Sequence, residues 1–124
     1  MKRDLNVVTL VGRLTRDPEI KQTSSGVSVC HFSIANNRDY KSNGELIENV
    51  NFFNCVAWSG LADIISKYSW KGQVVAVSGE LVHRTWENEN GEKRSAVEIK
   101  VNDFQMLSFR DDNQQQENQE PSFV

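Results

Sequence analysis

The sequence contains no apolar run approaching the roughly 20 residues of a membrane-spanning helix, so no membrane span is expected. Its opening residues, Met1, Lys2, Arg3 and Asp4, lack the apolar stretch of a signal peptide, and a soluble protein that stays where it is made is expected. Cysteine is scarce: Cys30 and Cys55 lie inside apolar runs rather than at ligand-pair spacing, which points away from a disulfide framework or a zinc site and towards a reducing compartment. The two histidines, His31 and His83, fall on different expected strands with no further ligand converging on them, so strand-surface histidines are expected rather than metal ligands or catalysts. There is no P-loop, no dinucleotide-binding glycine fingerprint and no serine or cysteine nucleophile motif. Asp17, Glu19 and Asp63 have no partner at a spacing suited to acid/base work. No enzyme, cofactor or resident metal is expected, and no repeat of solenoid spacing occurs.

Net charge of one sign is also missing from most of the chain. The formal charge is -3, yet residues 1–110 carry fourteen basic against thirteen acidic residues, and the whole acidic excess lies in residues 111–124 with Asp111, Asp112, Glu117 and Glu120. An acidic balance confined to one end does not exclude a nucleic-acid partner for the rest. That end (DDNQQQENQEPSFV) is rich in Gln and Asn and too poor in apolar residues to fold alone, so it is expected to be a disordered tail. One domain over residues 1–110 followed by a tail at 111–124 is the expected organisation.

What is present is mostly strand pattern. Residues 5–14 place Val8, Leu10 and Leu14 on one face and Val7, Thr9 and Val11 on the other, as in a strand partly buried on both sides. Residues 27–35 place Cys30, Phe32 and Ile34 on one face, and residues 50–58 set Phe53, Cys55 and Ala57 against Phe52, Asn54, Val56 and Trp58. Leu61, Ile64, Ile65 and Tyr68 then fall at helical spacing, with Ser59 as the expected N-cap and Gly72 as the stop. Alternation returns over 74–86, with Gly79 marking a bulge or bend. Asn90-Gly91 within the polar segment 87–94 signals a hairpin leading into a strand at 95–101. The order is all-β with one short helix between strands 3 and 4. It suits a five-stranded oligonucleotide-binding (OB) fold barrel, and an α+β sandwich would produce the same order.

Among eleven aromatics, Phe32, Phe53 and Tyr68 fall on apolar faces, whereas Tyr40, Phe52, Trp58 and Trp86 stand among polar and charged residues. Every base has a π-face, so exposed rings on a sheet stack bases without reading their identity. Arg38 and Lys41 bracket Tyr40, Arg84 shares a face with Trp86, and Lys93 and Arg94 lie across the hairpin from it. Interleaved rings and cations point to single strands as the ligand.

Four segments carry a closer likeness: LNVVTLVGRLTRDPEIK at 5–21, SVCHFSIANNRDY at 28–40, NFFNCVAWSGLAD at 51–63 and KGQVVAVSGELVHRTWENENGEKR at 71–94. In this order, over about residues 5–109, the chain resembles the bacterial single-stranded DNA-binding protein family. The resemblance implies an OB-fold subunit, usually of a homotetramer, that coats and protects single-stranded DNA without sequence preference in replication, recombination and repair, in the cytoplasm and associated with the nucleoid. It places base stacking on Tyr40, Phe52, Trp58 and Trp86, with Tyr40 and Phe52 standing where tryptophan is found in well-known members. It places phosphate contacts on Lys21, Arg84 and Lys71; Lys2, Arg3, Arg13, Lys93 and Arg94 are added on charge alone. Subunit pairing along the first strand makes Val7, Thr9 and Val11 the interface candidates, cover by the chain's own helix or tail being the alternative.

Family members commonly end in an acidic run, proline and a final phenylalanine gripped by partner enzymes. Here the end is Glu120, Pro121, Ser122, Phe123, Val124, with phenylalanine penultimate, and recruitment of replication and repair enzymes through Glu120, Pro121, Phe123 and Val124 is the corresponding expectation. The competing reading of the whole is an OB-fold protein-interaction module of the replication restart machinery. A cold-shock type RNA binder is disfavoured because its aromatic signature is absent.

Overall fold

The computed structural model describes residues 1–109, so the tail residues Glu120, Pro121, Phe123 and Val124 lie outside the described residues. Eight strands and one helix follow in the order β1 (Val8–Leu14), β2 (Glu19–Gln22), β3 (Ser28–Asn37), β4 (Tyr40–Ser42), β5 (Glu45–Ile47), β6 (Val50–Trp58), α1 (Ser59–Tyr68), β7 (Val74–Glu87) and β8 (Lys93–Met106). The five long strands close on themselves. β1 pairs with β7, β7 with β8, β8 with β6 in parallel, β6 with β3, and β3 returns to β1 through Arg13↔Ala35 and Leu14↔Ile34. This is the expected five-stranded OB barrel, and among the long strands the helix does fall between the third and fourth. Counting the short strands, it lies between β6 and β7.

The alternation read from sequence is what fills the barrel. Cys30, Phe32 and Ile34 of β3 meet Cys55 and Ala57 of β6, Leu14 of β1, Val75 and Val77 of β7 and Ile99 and Val101 of β8 in one cluster. Phe32 packs edge-on against Phe104 with centroids 5.7 Å apart. Closure needs two close backbone approaches. A Cβ on Gly12 would come within 2.5 Å of the Ala35 carbonyl oxygen, and one on Gly79 would overlap the Lys100 carbonyl. Gly79 sits where the β7/β8 register shifts, so the bulge expected there is present and bends the hairpin out of the barrel wall.

Three features depart from the sequence expectations. β6 runs straight into the helix, so the N-cap position falls on Trp58; Ser59 takes a left-handed φ of 58° and supplies no cap hydrogen bond. The helix buries Ala62 and Ile65, while Ile64 and Tyr68 are half exposed, so Tyr68 is not on an apolar face. The helix packs mainly on β3 and β6, through the stripe that holds Ala62 and Ile65. Finally, β2, β4 and β5 are additional. β4 and β5 form a separate hairpin turning at Asn43-Gly44, both with positive φ (52° and 81°), as a two-residue turn of this kind requires. No helix among the described residues is long and apolar enough to cross a membrane.

Candidate nucleic-acid interface

The outer face of the barrel between β2, β6, β7 and β8 is concave. β3 donates its free edge first to β2, through Glu19↔His31 and Lys21↔Val29, which carries Lys21 alongside the start of β3. β6 turns Asn54, Val56 and Trp58 to the same outer side, because alternate residues share a face. Beyond the Gly79 bulge, β7 and β8 continue as a long arm with Trp86↔Arg94 and Glu87↔Lys93 paired near its tip. The polar loop is therefore shorter than the 87–94 segment expected, and the strands reach almost to Asn90-Gly91.

Three adjoining concavities follow from this layout. One of about 630 Å³ is lined by Lys21, Trp58, Arg84, Lys100, His31, Val56 and Val82 among others. A second of about 480 Å³ holds Trp86, Lys93 and Arg94 and shares His83 with the first. A more polar third of about 350 Å³ shares Lys21, His31, Arg84 and Glu98 with the first and adds Arg16, Glu19 and Asn54. Trp58 and Trp86 thus stand on neighbouring hollows with cations between them. Both rings are open, at 42% and 39% exposure. Phe52 continues the Trp58 face of β6 and is 64% exposed, and Tyr40 is 51% exposed on the β4–β5 hairpin; neither lines these hollows.

The candidate cations divide. Lys21, Arg84, Lys93 and Arg94 line the concavities. Lys71 and Arg13 line none of the three. The Lys71 backbone N–H donates to Asp17 Oδ1 at 2.7 Å in the turn that feeds β7, and the guanidinium of Arg13, on β1, donates to the Gly72 carbonyl of the same turn at 3.1 Å. Lys2 and Arg3 precede β1 and are exposed. Arg94 is held by Glu92 at 3.2 Å, an exposed pair that contributes little to stability. Arg16, Lys100 and Glu98 complete the surface and were not singled out from sequence. Glu98 is buried, 3.3 Å from Arg84 Nε, and only the hairpin register could have linked them, since Val82↔Glu98 and Arg84↔Ala96 make the two diagonal neighbours.

The thiols offer no chemistry here. Burial lifts Cys30 to about 11, and burial together with the Glu98 charge lifts Cys55 to about 12, so both stay protonated at neutral pH. No group of three or more His, Cys, Asp or Glu among the described residues is placed to hold a metal ion. Open rings beside guanidinium and ammonium groups on a broad trough suit an extended polyanion bearing flat apolar units. On the other side of the barrel, Val7 and Val11 are 67% and 50% exposed and Thr9 Oγ1 lies 3.4 Å from Ser78 Oγ, so no described helix or loop covers the outer face of β1.

The chain has relatives among known proteins. The profile of the single-strand binding protein family matches residues 5–107. A single-stranded DNA-binding protein of Treponema pallidum is 51% identical over 104 residues, covering 84% of this chain and 58% of the relative. One of Borreliella burgdorferi is 47% identical over 106 residues, covering 85% of this chain and 71% of the relative. The chain therefore spans little more than half the length of the Treponema protein. The solved structure of a Plasmodium falciparum SSB complex with ssDNA superposes with a TM-score of 0.79 at 30% identity, covering 87% of this chain and 99% of that one.

Proposed function

The chain belongs to the single-strand binding protein family, and from that premise we propose that it binds and protects single-stranded DNA independently of sequence, without catalysis, during replication, recombination and repair. The observation that carries this reading is the pair of open rings, Trp58 and Trp86, on adjoining hollows lined by cations. Bases already unpaired lie flat on Trp58 and Trp86, with Phe52 and Tyr40 extending the path, each stacked base contributing about 1–3 kcal/mol. Lys21, Lys100, Arg16, Lys93 and Arg94 face the phosphates and release their counterions. Lys71, Arg13, Lys2 and Arg3 serve, in this reading, only a strand that wraps beyond the trough.

The protein works as a homo-oligomer, a homotetramer, in which the uncovered outer face of β1 with Val7, Thr9 and Val11 meets a second copy. Its place is the cytoplasm, with the nucleoid, and Glu120, Pro121, Phe123 and Val124 recruit replication and repair enzymes. Titration with poly-thymidine under mass-resolved detection tests binding, subunit number and site size together. Saturable complexes built on a tetramer are expected, and absence of any complex at low salt overturns the reading.

A further inference from the structure

Arg84 is engaged twice before any strand arrives. Its Nε lies 3.3 Å from Glu98 Oε1 in an ion pair, and its Cζ lies 4.6 Å from the centroid of the Trp86 ring. The two ends of the ion pair differ in environment, the Glu98 side chain being 9% exposed and that of Arg84 53%. Swinging the guanidinium out to a phosphate would leave a buried carboxylate without its partner, which is costly. A guanidinium lying over an indole also occupies the ring face that a base would otherwise use.

Resting on the single-strand reading above, we infer that Arg84 is not one of the phosphate-neutralising cations: Glu98 positions it as a fixed cap on one face of Trp86, leaving a single ring face for a base. Phosphate neutralisation in this hollow then falls to Lys21, Lys100 and Arg16, which have no acidic partner among the ion pairs of the described residues. The Arg84–Glu98 pair is electrically neutral towards the strand. Its contribution to affinity is in the shape and access of Trp86 rather than in charge.

The salt dependence of poly-thymidine binding by the full chain tests this, with circular dichroism as the check on folding. The double variant Arg84→Met/Glu98→Gln removes both charges and strands neither, and is expected to keep the wild-type slope of log affinity against log salt. Glu98→Gln alone keeps a side chain of the same size beside Arg84 while leaving the guanidinium charge unbalanced, and steepens the slope by about 0.7. A double variant whose slope is shallower by about 0.7, the signature of one lost phosphate contact, overturns the inference. So does an unchanged slope in Glu98→Gln. A second arm needs no DNA: Arg84→Lys keeps the charge but loses the planar cap, and acrylamide quenching of the free protein's tryptophan emission is expected to increase, no increase counting as refutation. If the wild-type chain binds no poly-thymidine, the single-strand reading fails, and the acrylamide arm still decides the cap.

Discussion

Asn6 and Leu81 form a two-way hydrogen bond in which a side chain takes the part of a strand. The Asn6 amide donates to the Leu81 carbonyl and accepts from the Leu81 N–H, each at 2.9 Å. The β1/β7 register pairs Val8 with Gly79, so two residues on, at the next hydrogen-bonding position of the ladder, Asn6 falls opposite Leu81. The primary amide continues that ladder one step beyond the last backbone pair, at the root of the arm that carries Trp86. Asn6→Ala is expected to cost about 1 kcal/mol in urea unfolding and to speed amide exchange at Leu81. Asn6→Asp keeps only the acceptor and sets a carboxylate against the Leu81 carbonyl, so it is expected to be at least as costly.

Val11 projects from β1 into solvent at 50% exposure, and its neighbour across the ladder is Ala76 of β7. In a monomer, Val11→Glu is then close to neutral for folding. In an oligomer joined along β1 it buries an unpaired charge. Sedimentation is expected to show a fall in mass at unchanged circular dichroism; an unchanged mass removes β1 from the interface.

The chain has three tryptophans, and only Trp58 and Trp86 line the trough. Single alanine substitutions at either are expected to weaken binding to oligothymidine and oligocytidine alike, by about 1–3 kcal/mol. The double variant retains Trp70 emission, and adding oligothymidine is expected to quench little of it. A loss limited to one sequence would show that these rings read bases rather than stack them.

The Cys55 thiol, raised from 9.0 to about 12, links stability to alkaline pH. Below about 9 both folded and unfolded chains carry the protonated thiol, and its contribution is fully present. Above 9.0 the unfolded chain ionises while the folded one does not, so stability is lost as pH climbs towards about 12. The loss approaches about 1.4 kcal/mol per pH unit for this one group. Urea midpoints taken above pH 9 are expected to fall less steeply in Cys55→Ala than in the parent, and parallel curves would exclude the linkage.

Much of this molecule could be read in its sequence, and the failures have physical causes. β3 was legible because Cys30, Phe32 and Ile34 alternate with the opposite face, and the bulge because a lone glycine interrupts a β-branched run at Gly79. β2 was not, since Glu19–Gln22 is exposed throughout and pairs with β3 alone, leaving no apolar period to detect. The β4–β5 hairpin did carry a signal, Asn43-Gly44, that passed unread beside Asn90-Gly91. Tyr68 misled because helical spacing does not say which stripe of α1 meets the sheet, and the buried stripe is Ala62 and Ile65. Rings among polar neighbours are Trp58 and Trp86, which line the trough, and equally Phe52 and Tyr40, which do not. Glu98 stayed hidden because its partner lies on another strand.

The closed ring has one member whose position in the chain governs how the rest can form. β8, at Lys93–Met106, lies between β7 and β6, and its parallel pairing with β6 joins Cys55 to Ile99 across the helix and the whole of β7. The ring cannot close until β8 is in place. Until then β6 and β7 present naked edges, and the arm bearing Trp86 has only one side. Such distant pairings slow folding, and until β8 docks, the unpaired edges of β6 and β7 are open to other strands.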